Sequence, residues 1–389
     1  MDRTGSDSCN FIGHYLGTPV FFKIGQNTTK TARCDCNPLY FFTCLSIGKN
    51  VINKQVVLAR RPSGVPVPED FQIVETEVAT PGPNEALLEN LYVSLDAGFR
   101  NWMDEGSGDD VLPAMELGSP VMGLTAGRVV ESNREDLKVG EVLVGRLAWE
   151  AYSIATDQDL LVPIEGKFQQ PENLFLGLLG DTGLSAYFGL ERVAKLQPGE
   201  TVVVSAAGGA VGNAAGQIAK AMGAGKVIGF AGDTEKCKWL EEEVGYDATI
   251  NYKTDDIGKA LGEHCPDGID VYFDNVGGNL LEPVLDHINY QARIAFCGAV
   301  ADYTSENGTG PNNLFRLVAN CAKLEGFMTH YWTADYEVAR EVLVGWLESG
   351  KLKSYEARYQ GVENCGVAFS DMLNGKTFGK TIVKVIADS

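Results

Sequence analysis

Histidine and paired cysteines are scarce in this chain of 389 residues, and each scarcity excludes a class of site. Only four histidines occur, and none stands at ligand spacing with a cysteine or with another histidine. The nine cysteines form no Cys-x-x-Cys pair, so a structural zinc site lacks its ligands. Widely spaced cysteines in odd number are typical of free thiols in a reducing compartment. The sequence therefore predicts a cytoplasmic protein without a metal centre.

Basic residues are also in deficit, and long apolar runs are absent. Thirty-two Lys and Arg stand against 52 Asp and Glu, which gives a formal net charge of −20. Because nucleic acids and anionic membranes are bound through clustered Lys and Arg, neither partner is expected. The sequence contains no run of about 18 apolar residues, so no membrane-spanning helix is predicted. A hydrophobic content of 44% is nevertheless ordinary for a globular chain, and the length favours about two domains.

The pattern of apolar and turn-forming residues changes along the chain and indicates its domain organisation. Residues 1–50 have no helical or strand period, so we expect a disordered extension, with a targeting segment as the alternative. Short apolar runs broken by Gly and Pro predict a β-rich, barrel-like domain over residues 51–177. Alternating strand and helix patterns predict a doubly wound parallel sheet over residues 178–356. Residues 357–389 are expected to return to the first domain.

A glycine-rich turn between a predicted strand and a predicted helix carries the strongest chemical signal. The apolar strand Thr201–Ser205 leads into the turn, and a helix with Gly216 in its second turn follows. A pyrophosphate is bound by bare backbone N–H groups at a helix N-terminus, where a Cβ would obstruct it. A tight turn without a ligand is the alternative. The predicted phosphate-binding residues are Gly208, Gly209, Ala210, Val211 and Gly212.

The strand after this turn indicates which dinucleotide is bound. NAD enzymes usually place a carboxylate at the tip of this strand, but Lys226–Phe230 is followed by Ala231 and Gly232. Lys236 lies in the first turn of the next helix, where a cation can pair with a 2′-phosphate. The sequence therefore predicts NADPH as the cofactor, with a solvated, non-binding Lys236 as the alternative.

Short motifs spread along the chain form a recognisable combination. They are Tyr92-Val-Ser-Leu-Asp96, Gly183-Leu-Ser-Ala-Tyr-Phe-Gly189, Ala207-Gly-Gly-Ala-Val-Gly212, Gly216-Gln-Ile-Ala-Lys220, Asn251-Tyr-Lys253, Phe273-Asp-Asn-Val-Gly-Gly278, Cys297-Gly-Ala299 and Gly379-Lys-Thr-Ile-Val-Lys384. Together they resemble the medium-chain dehydrogenase/reductase superfamily, and within it the zinc-independent prostaglandin and leukotriene reductases, plant alkenal double-bond reductases and bacterial curcumin reductases. The resemblance covers roughly residues 53–387. It implies a GroES-like catalytic domain, a Rossmann NADP-binding domain and a homodimer formed through the nucleotide-binding domain.

The resemblance also implies roles for individual residues. Tyr303 falls where these reductases place a tyrosine near the substrate carbonyl. Zinc enzymes of the superfamily carry Gly-His-Glu near Gly123-Leu124-Thr125, and both ligating residues are missing here. The further positions implied to contact the cofactor are Lys236 and Tyr252 at the 2′-phosphate, Asn275 near the ribose, Cys297 beside the nicotinamide, and Phe327, Met328 and Thr329 at the carboxamide.

The chain departs from the family pattern at three places in the expected cleft. Asp181-Thr182-Gly183 replaces a frequent Met-Pro-Gly, Asp96-Ala97 replaces Asp-Pro, and Thr377 replaces an Asn. We expect Asp96 to pair with Arg100 at the domain seam.

These expectations combine into one predicted reaction with two alternatives. Without zinc, reduction of a simple carbonyl is difficult, whereas an α,β-unsaturated ketone or aldehyde accepts hydride at its β-carbon and leaves an enolate. Tyr303 is predicted to donate a hydrogen bond to the enolate oxygen. A packed tyrosine on the cleft rim is the structural alternative for this residue. An NADPH quinone oxidoreductase and a non-catalytic NADPH-binding protein are the alternative functions.

Overall fold

The computed structural model falls into two compact units, residues 1–46 and residues 47–389. In the first unit, β1 (Gly13–Tyr15) pairs antiparallel with β2 (Thr18–Val20). The predicted extension over residues 1–50 otherwise lies outside the described residues. The structure describes residues 13–15, 18–20, 51–108, 112–164, 166–303, 308 and 310–386.

A mostly antiparallel sheet and a separate hairpin make up the β-rich part of the second unit. The sheet has the order β16-β17-β5-β6-β7-β9, and β8 pairs with β5. Its final strand in the chain, β17, lies antiparallel to β5 and parallel to β16. The strands are β3 (Ile52–Leu58), β4 (Phe71–Glu77), β5 (Ala86–Ser94), β6 (Met122–Ser132), β7 (Val142–Ala148), β8 (Tyr152–Ala155), β9 (Val162–Pro163), β16 (Glu356–Gln360) and β17 (Lys380–Lys384).

The other part of this unit is the predicted parallel sheet. Its six strands run in the order β12-β11-β10-β13-β14-β15, and every neighbouring pair is parallel. The order reverses between β10 and β13, and ligands of doubly wound sheets bind outside the strand ends at such a point. The strands are β10 (Thr201–Val204), β11 (Lys226–Ala231), β12 (Ala248–Asn251), β13 (Ile269–Asp274), β14 (Ile288–Phe296) and β15 (Lys323–Gly326).

Eight α-helices accompany these sheets in the described part of the chain. They are α1 (Asp181–Phe188), α2 (Ala210–Ala221), α3 (Thr234–Trp239), α4 (Ile257–His264), α5 (Gly278–Leu285), α6 (Phe315–Ala319), α7 (Tyr336–Glu348) and α8 (Cys365–Leu373). Wider π turns at Gly189–Val193 and Leu240–Val244 extend α1 and α3. Short 3-10 segments occur at Pro68–Asp70, Ala97–Met103, Gly166–Phe168, Glu172–Leu176, Thr329–Asp335 and Val362–Asn364.

Alternation along the central strand places apolar side chains on both faces of the parallel sheet. Val202 and Val204 pack into the cluster that contains Ile218 of α2, whereas Val203 packs into the cluster that contains Leu261 of α4. Successive strand residues point to opposite faces, so a continuous valine run is what a sheet covered on both sides requires. Among the described helices, none is long and apolar enough to cross a bilayer.

Candidate functional site

The predicted cofactor positions all lie at one edge of the parallel sheet. Because the strands are parallel, their carboxyl ends meet at this edge, so residues that are distant in sequence become neighbours. Each strand is followed by one predicted group: Gly208 to Gly212 after β10, Lys236 after β11, Tyr252 after β12, Asn275 after β13, Cys297 after β14, and Phe327, Met328 and Thr329 after β15.

The glycine-rich turn presents the N-terminus of α2 to this edge. Gly209 is the N-cap residue with extended backbone angles, and Ala210, Val211 and Gly212 begin the helix. The first N–H groups of a helix have no partner within the helix, so they are available to an anion. A Cβ on Gly209 would meet only the Ala206 carbonyl oxygen, at 3.3 Å. The turn therefore fits a pyrophosphate that approaches the backbone at Gly209.

Two other glycines of this region are required by packing. A Cβ on Gly212 would lie 2.2 Å from the Ala206 carbonyl oxygen, and a Cβ on Gly216 would lie 2.2 Å from the Tyr246 ring. The hydroxyl of Tyr246 donates to the Gly212 carbonyl at 2.7 Å, which holds the ring against α2. Packing alone therefore requires a glycine at position 212, in addition to the predicted approach of a ligand.

Lys236 reaches from α3 across the glycine-rich turn. A Cβ on Gly208 would lie 2.2 Å from Cδ of Lys236, so the lysine stem occupies the space that a side chain there would need. Nζ donates to the Gly375 carbonyl at 2.6 Å and lies 5.1 Å from the centre of the Phe378 ring. Lys236 is 8% exposed, so the alternative of a solvated helix residue is wrong.

The surroundings of Lys236 are suited to an anion. Burial lowers the pKa of its ammonium, the charge of Lys253 lowers it further, and Asp233 acts in the opposite sense. Nζ of Lys253 lies 5.9 Å from the centre of the Tyr252 ring, and Tyr252 is 44% exposed. Two cations and a phenol thus share this corner, where a bound phosphate would offset the cost of the lysine charges.

The buried carboxyl of Asp274 organises the turn after β13. Asp274 belongs to the motif Phe273-Asp-Asn-Val-Gly-Gly278, but the motif alone predicts no role for it. The pKa of Asp274 is raised, mainly by burial, and its Oδ2 has no hydrogen-bond partner among the described residues. Asn275 donates from its backbone to Ser205 Oγ at 2.7 Å and from Nδ2 to the Ser205 carbonyl at 2.8 Å. These bonds join the ends of β10 and β13. Oδ1 of Asp274 accepts from Ser205 Oγ, Tyr272 OH, Val276 N and Gly277 N.

Cys297 follows β14, with its backbone N–H bonded to the Asp274 carbonyl at 2.7 Å. Burial raises the pKa of its thiol to about 12, and the charges of Asp181 and Asp274 act in the same direction. A thiol held neutral in this way is a poor nucleophile, so Cys297 is not a candidate for covalent catalysis.

The three residues after β15 face different surroundings. Phe327 packs inward, with its ring 6.4 Å from Phe273 and 6.1 Å from Trp332. Met328 is exposed, and Thr329 is buried. The implied contact of this segment with the carboxamide therefore rests on its backbone and on Thr329.

Tyr303 lies against the turn that follows β14. Its hydroxyl accepts a hydrogen bond from the Ala299 N–H at 3.3 Å. A Cβ on Gly298 would lie 3.1 Å from the same oxygen, so the ring sits close to this backbone. Burial raises the pKa of Tyr303, which keeps the phenol protonated. The bond from the Ala299 N–H uses a lone pair of the Tyr303 oxygen, so the O–H proton of Tyr303 can still be donated.

Asp181, one of the departures from the family pattern, lies in the same region. It is the first residue of α1, and its Oδ1 accepts a hydrogen bond from Thr329 Oγ1 at 2.5 Å. Burial raises the pKa of its carboxyl, although the residue as a whole is exposed. Only the tertiary contact with Thr329, 148 positions away, reveals this location.

The predicted pair of Asp96 and Arg100 is wrong. Asp96 accepts hydrogen bonds from Lys380 and from Ser94, and Lys380 is buried. Arg100 instead forms a 2.9 Å bond with Asp104, one helical turn further along the chain. The buried cation Lys380, at the start of β17, therefore pairs with Asp96, because β17 packs beside the end of β5.

The donor set at the expected zinc position does not fit a metal. Thr125 is fully buried in β6, and its hydroxyl lies 3.5 Å from the Ala148 carbonyl, which it faces as a donor. The neighbouring Leu124 offers no ligand atom. In the described part of the chain, no group of three His, Cys, Asp or Glu residues could hold a metal ion.

Comparisons with known proteins agree with this architecture. A family model described as the N-terminal domain of oxidoreductase matches residues 54–162, and one described as zinc-binding dehydrogenase matches residues 210–344. The chain is 39% identical to the NADPH-dependent curcumin reductase of Escherichia coli, covering 86% of this chain and 98% of that one. It is 36% identical to the NADP-dependent 2-alkenal reductase of tobacco, with coverages of 87% and 99%. The crystal structure of CurA from Vibrio vulnificus with NADPH superposes with a TM-score of 0.78 at 33% identity, covering 86% and 100%.

Proposed function

Because the chain belongs to the medium-chain dehydrogenase/reductase superfamily, in the group of curcumin, alkenal and prostaglandin reductases, we propose that it reduces the C=C bond of α,β-unsaturated ketones or aldehydes. It is an oxidoreductase and NADPH is its cofactor, in agreement with the sequence prediction. The observation that carries the choice of substrate class is a neutral, half-buried tyrosine hydroxyl beside Cys297, at the cofactor edge of the sheet.

The cofactor site fits NADPH in two of its parts. Gly209 leaves the N-terminus of α2 open to a pyrophosphate, and Lys236 with Lys253 provides charge for a 2′-phosphate. When bound, NADPH supplies the hydride that the β-carbon of the substrate accepts. In this proposal, the residues of the chain hold the cofactor and stabilise charge on the substrate.

Tyr303 is proposed to stabilise the charge that develops on the substrate oxygen. Reduction at the β-carbon moves negative charge onto the carbonyl oxygen, which then becomes an enolate oxygen. The phenol of Tyr303 is a neutral donor, and its oxygen is fixed by the Ala299 N–H. A preorganised donor of this kind is worth about 2.7–4 kcal/mol in a measured oxyanion hole.

Replacing Tyr303 with phenylalanine should lower turnover of an alkenal about 100-fold, because the ring packing stays and the donor is lost. The dissociation constant of NADPH, measured by fluorescence titration, should change less than twofold. Tyr290→Phe is the matched control, since Tyr290 is 68% exposed near the start of β14, at the opposite edge of the sheet. Unchanged turnover in Tyr303→Phe would show that this tyrosine is only a packed residue of the cleft rim.

A panel of four electron acceptors tests the proposed reaction itself. Oxidation of NADPH, followed by its absorbance, should be fastest with an alkenal and an enone, and slow with a quinone and a saturated aldehyde. Oxidation by the quinone alone would replace the proposal with a quinone oxidoreductase. No oxidation by any of the four would favour a non-catalytic NADPH-binding protein.

The domain boundaries, the compartment and the assembly also stand as proposals. Residues 51–177 with 357–389 are assigned to the catalytic domain, and residues 178–356 to the nucleotide-binding domain. Each of the five cysteines in the described part is free, which agrees with a reducing compartment and a cytoplasmic location.

A homodimer through the edge strand β15 is supported by the surface around it. Among the described residues, β15 pairs with one strand, β14, and its four residues are exposed. Phe315 and Val318 of α6 are 75% and 67% exposed beside this strand, and Leu324 lies within it. An exposed apolar edge strand is a template for pairing with a second chain.

Replacing Phe315 and Leu324 together with glutamate should convert the dimer to a monomer, because like charges would meet across the shared edge. Light scattering coupled to size exclusion measures the mass directly. Ile73→Glu is the control, since Ile73 is half exposed on β4, in the separate hairpin of β3 and β4. A wild-type chain that is monomeric at micromolar concentration would refute the proposed assembly.

A further inference from the structure

We infer that Asp181 selects substrates by charge: it favours neutral and cationic unsaturated carbonyl compounds and disfavours those that carry a carboxylate. This inference rests on the proposed function, because it concerns the substrate class of the same cleft. It assigns a role to a side chain that the proposed reaction does not itself use.

The position of Asp181 is fixed from two directions. It begins α1, and its carboxylate is bonded to Thr329, in the segment that the family resemblance places at the nicotinamide carboxamide. From the other side, its charge acts on the Cys297 thiol at the end of β14. Asp181 therefore lies between two parts of the predicted nicotinamide site, and the residue is exposed.

The charge of Asp181 is not matched by its recorded contacts. Its hydrogen-bond partner, Thr329, is neutral. The nearby cation Lys380 is already bonded to Asp96 and to the Leu95 carbonyl. His330 also acts on Asp181 electrostatically but is exposed, so solvent screens it. Asp96, which also acts on Asp181, thus shares with it the one nearby buried cation that acts on Asp181 among the described residues, Lys380. An ionised Asp181 has no buried cation of its own there.

A carboxylate charge at the predicted nicotinamide site acts on every charged ligand that binds there. Unit charges about 6 Å apart at an effective dielectric constant near 20 interact strongly enough to change affinity roughly 100-fold. Screening by water and salt in an open cleft reduces this effect, so we expect about 10-fold. A carboxylate on the substrate would be disfavoured by this factor, and an ammonium group favoured.

A purely structural role for Asp181 predicts something different. A carboxylate at the first turn of a helix stabilises the helix dipole, and the bond to Thr329 would fasten α1 to the segment after β15. Asparagine keeps the acceptor oxygen and the shape of the side chain but removes the charge. Asp181→Asn would then alter the melting temperature without altering the preference among substrate charges.

The experiment compares three enones that share one reactive unit, a phenylbutenone with a para methyl, para carboxylate or para trimethylammonium group. The kcat/KM ratio of the ammonium to the carboxylate compound is measured for the wild type and for Asp181→Asn. Dividing one ratio by the other cancels the electronic effects of the substituents. We expect Asp181→Asn to lower the kcat/KM ratio of the ammonium to the carboxylate compound about 10-fold or more. Glu263→Gln, on the exposed face of α4, should leave this ratio unchanged.

The outcomes separate failure of the inference from failure of the proposed function. Turnover of the methyl compound with an unchanged charge preference in Asp181→Asn overturns the inference alone. Lack of turnover of the methyl compound by the wild type overturns the proposed function. If Asp181→Asn does not fold, the wild type still provides a test. Its preference for the ammonium compound should shrink as salt is raised from about 20 to 500 mM, and a preference insensitive to salt overturns the inference.

Discussion

Replacing Lys236 with alanine is expected to weaken NADPH binding about 100-fold and to leave NADH binding nearly unchanged. The ammonium group is buried, carries a lowered pKa and lies near Lys253, so it has a strong need for an anionic partner. Charge-assisted hydrogen bonds to such a group are worth about 1.5–3 kcal/mol, which corresponds to this factor. The measurement is a fluorescence titration of each dinucleotide against the purified protein.

The stem of Lys236 complicates the alanine variant, because it packs over Gly208. Lys236→Met keeps the length of the stem and removes only the charge, so it should reproduce the selective loss of NADPH affinity. Lys238→Ala is the control on the same helix, where the side chain is 71% exposed. Equal losses of NADPH and NADH affinity in Lys236→Met would show that Lys236 does not recognise the 2′-phosphate.

Alanine substitutions at two glycines of the same turn should have different effects, one on stability and the other on NADPH affinity. Gly212→Ala places a methyl group 2.2 Å from the Ala206 carbonyl, and neither backbone can move without disturbing β10 or α2. We expect a loss of about 3 kcal/mol or more in unfolding free energy. Gly209→Ala meets only a 3.3 Å contact, so it should fold normally. Its methyl group would instead obstruct the pyrophosphate and weaken NADPH binding at least about 10-fold.

Thermal unfolding and NADPH titration of both variants separate the two effects. Gly345→Ala is the control for the substitution itself, because no atom lies within 4 Å of the added carbon in α7. It should be neutral or slightly stabilising, since alanine favours a helix by up to about 1 kcal/mol over glycine. A stable Gly212→Ala protein, or a Gly209→Ala protein with unchanged NADPH affinity, would contradict the roles assigned to these residues.

The regular elements with a clear period were predictable from the sequence. The valine run before the glycine-rich turn, the helix with small residues after it and the amphipathic helix near residue 340 form β10, α2 and α7. The short helices α4 and α5 and the strands β12 and β15 are not predictable in this way. Each has at most eight residues, and α5 contains Pro283, so local periodicity carries little signal there.

The cofactor edge was predictable for a related reason. A glycine turn and a lysine at a fixed distance after successive strands are local patterns, and the parallel sheet brings their positions together. The partner of Asp96 was not predictable, because Arg100 is near in sequence whereas Lys380 is 284 positions away. The Oδ2 atom of Asp274, which has no hydrogen-bond partner among the described residues, and the neutral partner of Asp181 likewise depend on what surrounds each carboxyl.

The sequence by itself determined the class of fold, the dinucleotide and the absence of histidine and cysteine ligands at metal spacing, because these depend on residues close together along the chain. The tertiary structure decided which charges meet in the cleft. It paired Lys380 with Asp96 and gave Asp181 a neutral hydrogen-bond partner, Thr329, beside the proposed nicotinamide site. The physical reason is that electrostatic interaction depends on distance and solvent exposure, which strand order and packing fix and sequence separation does not.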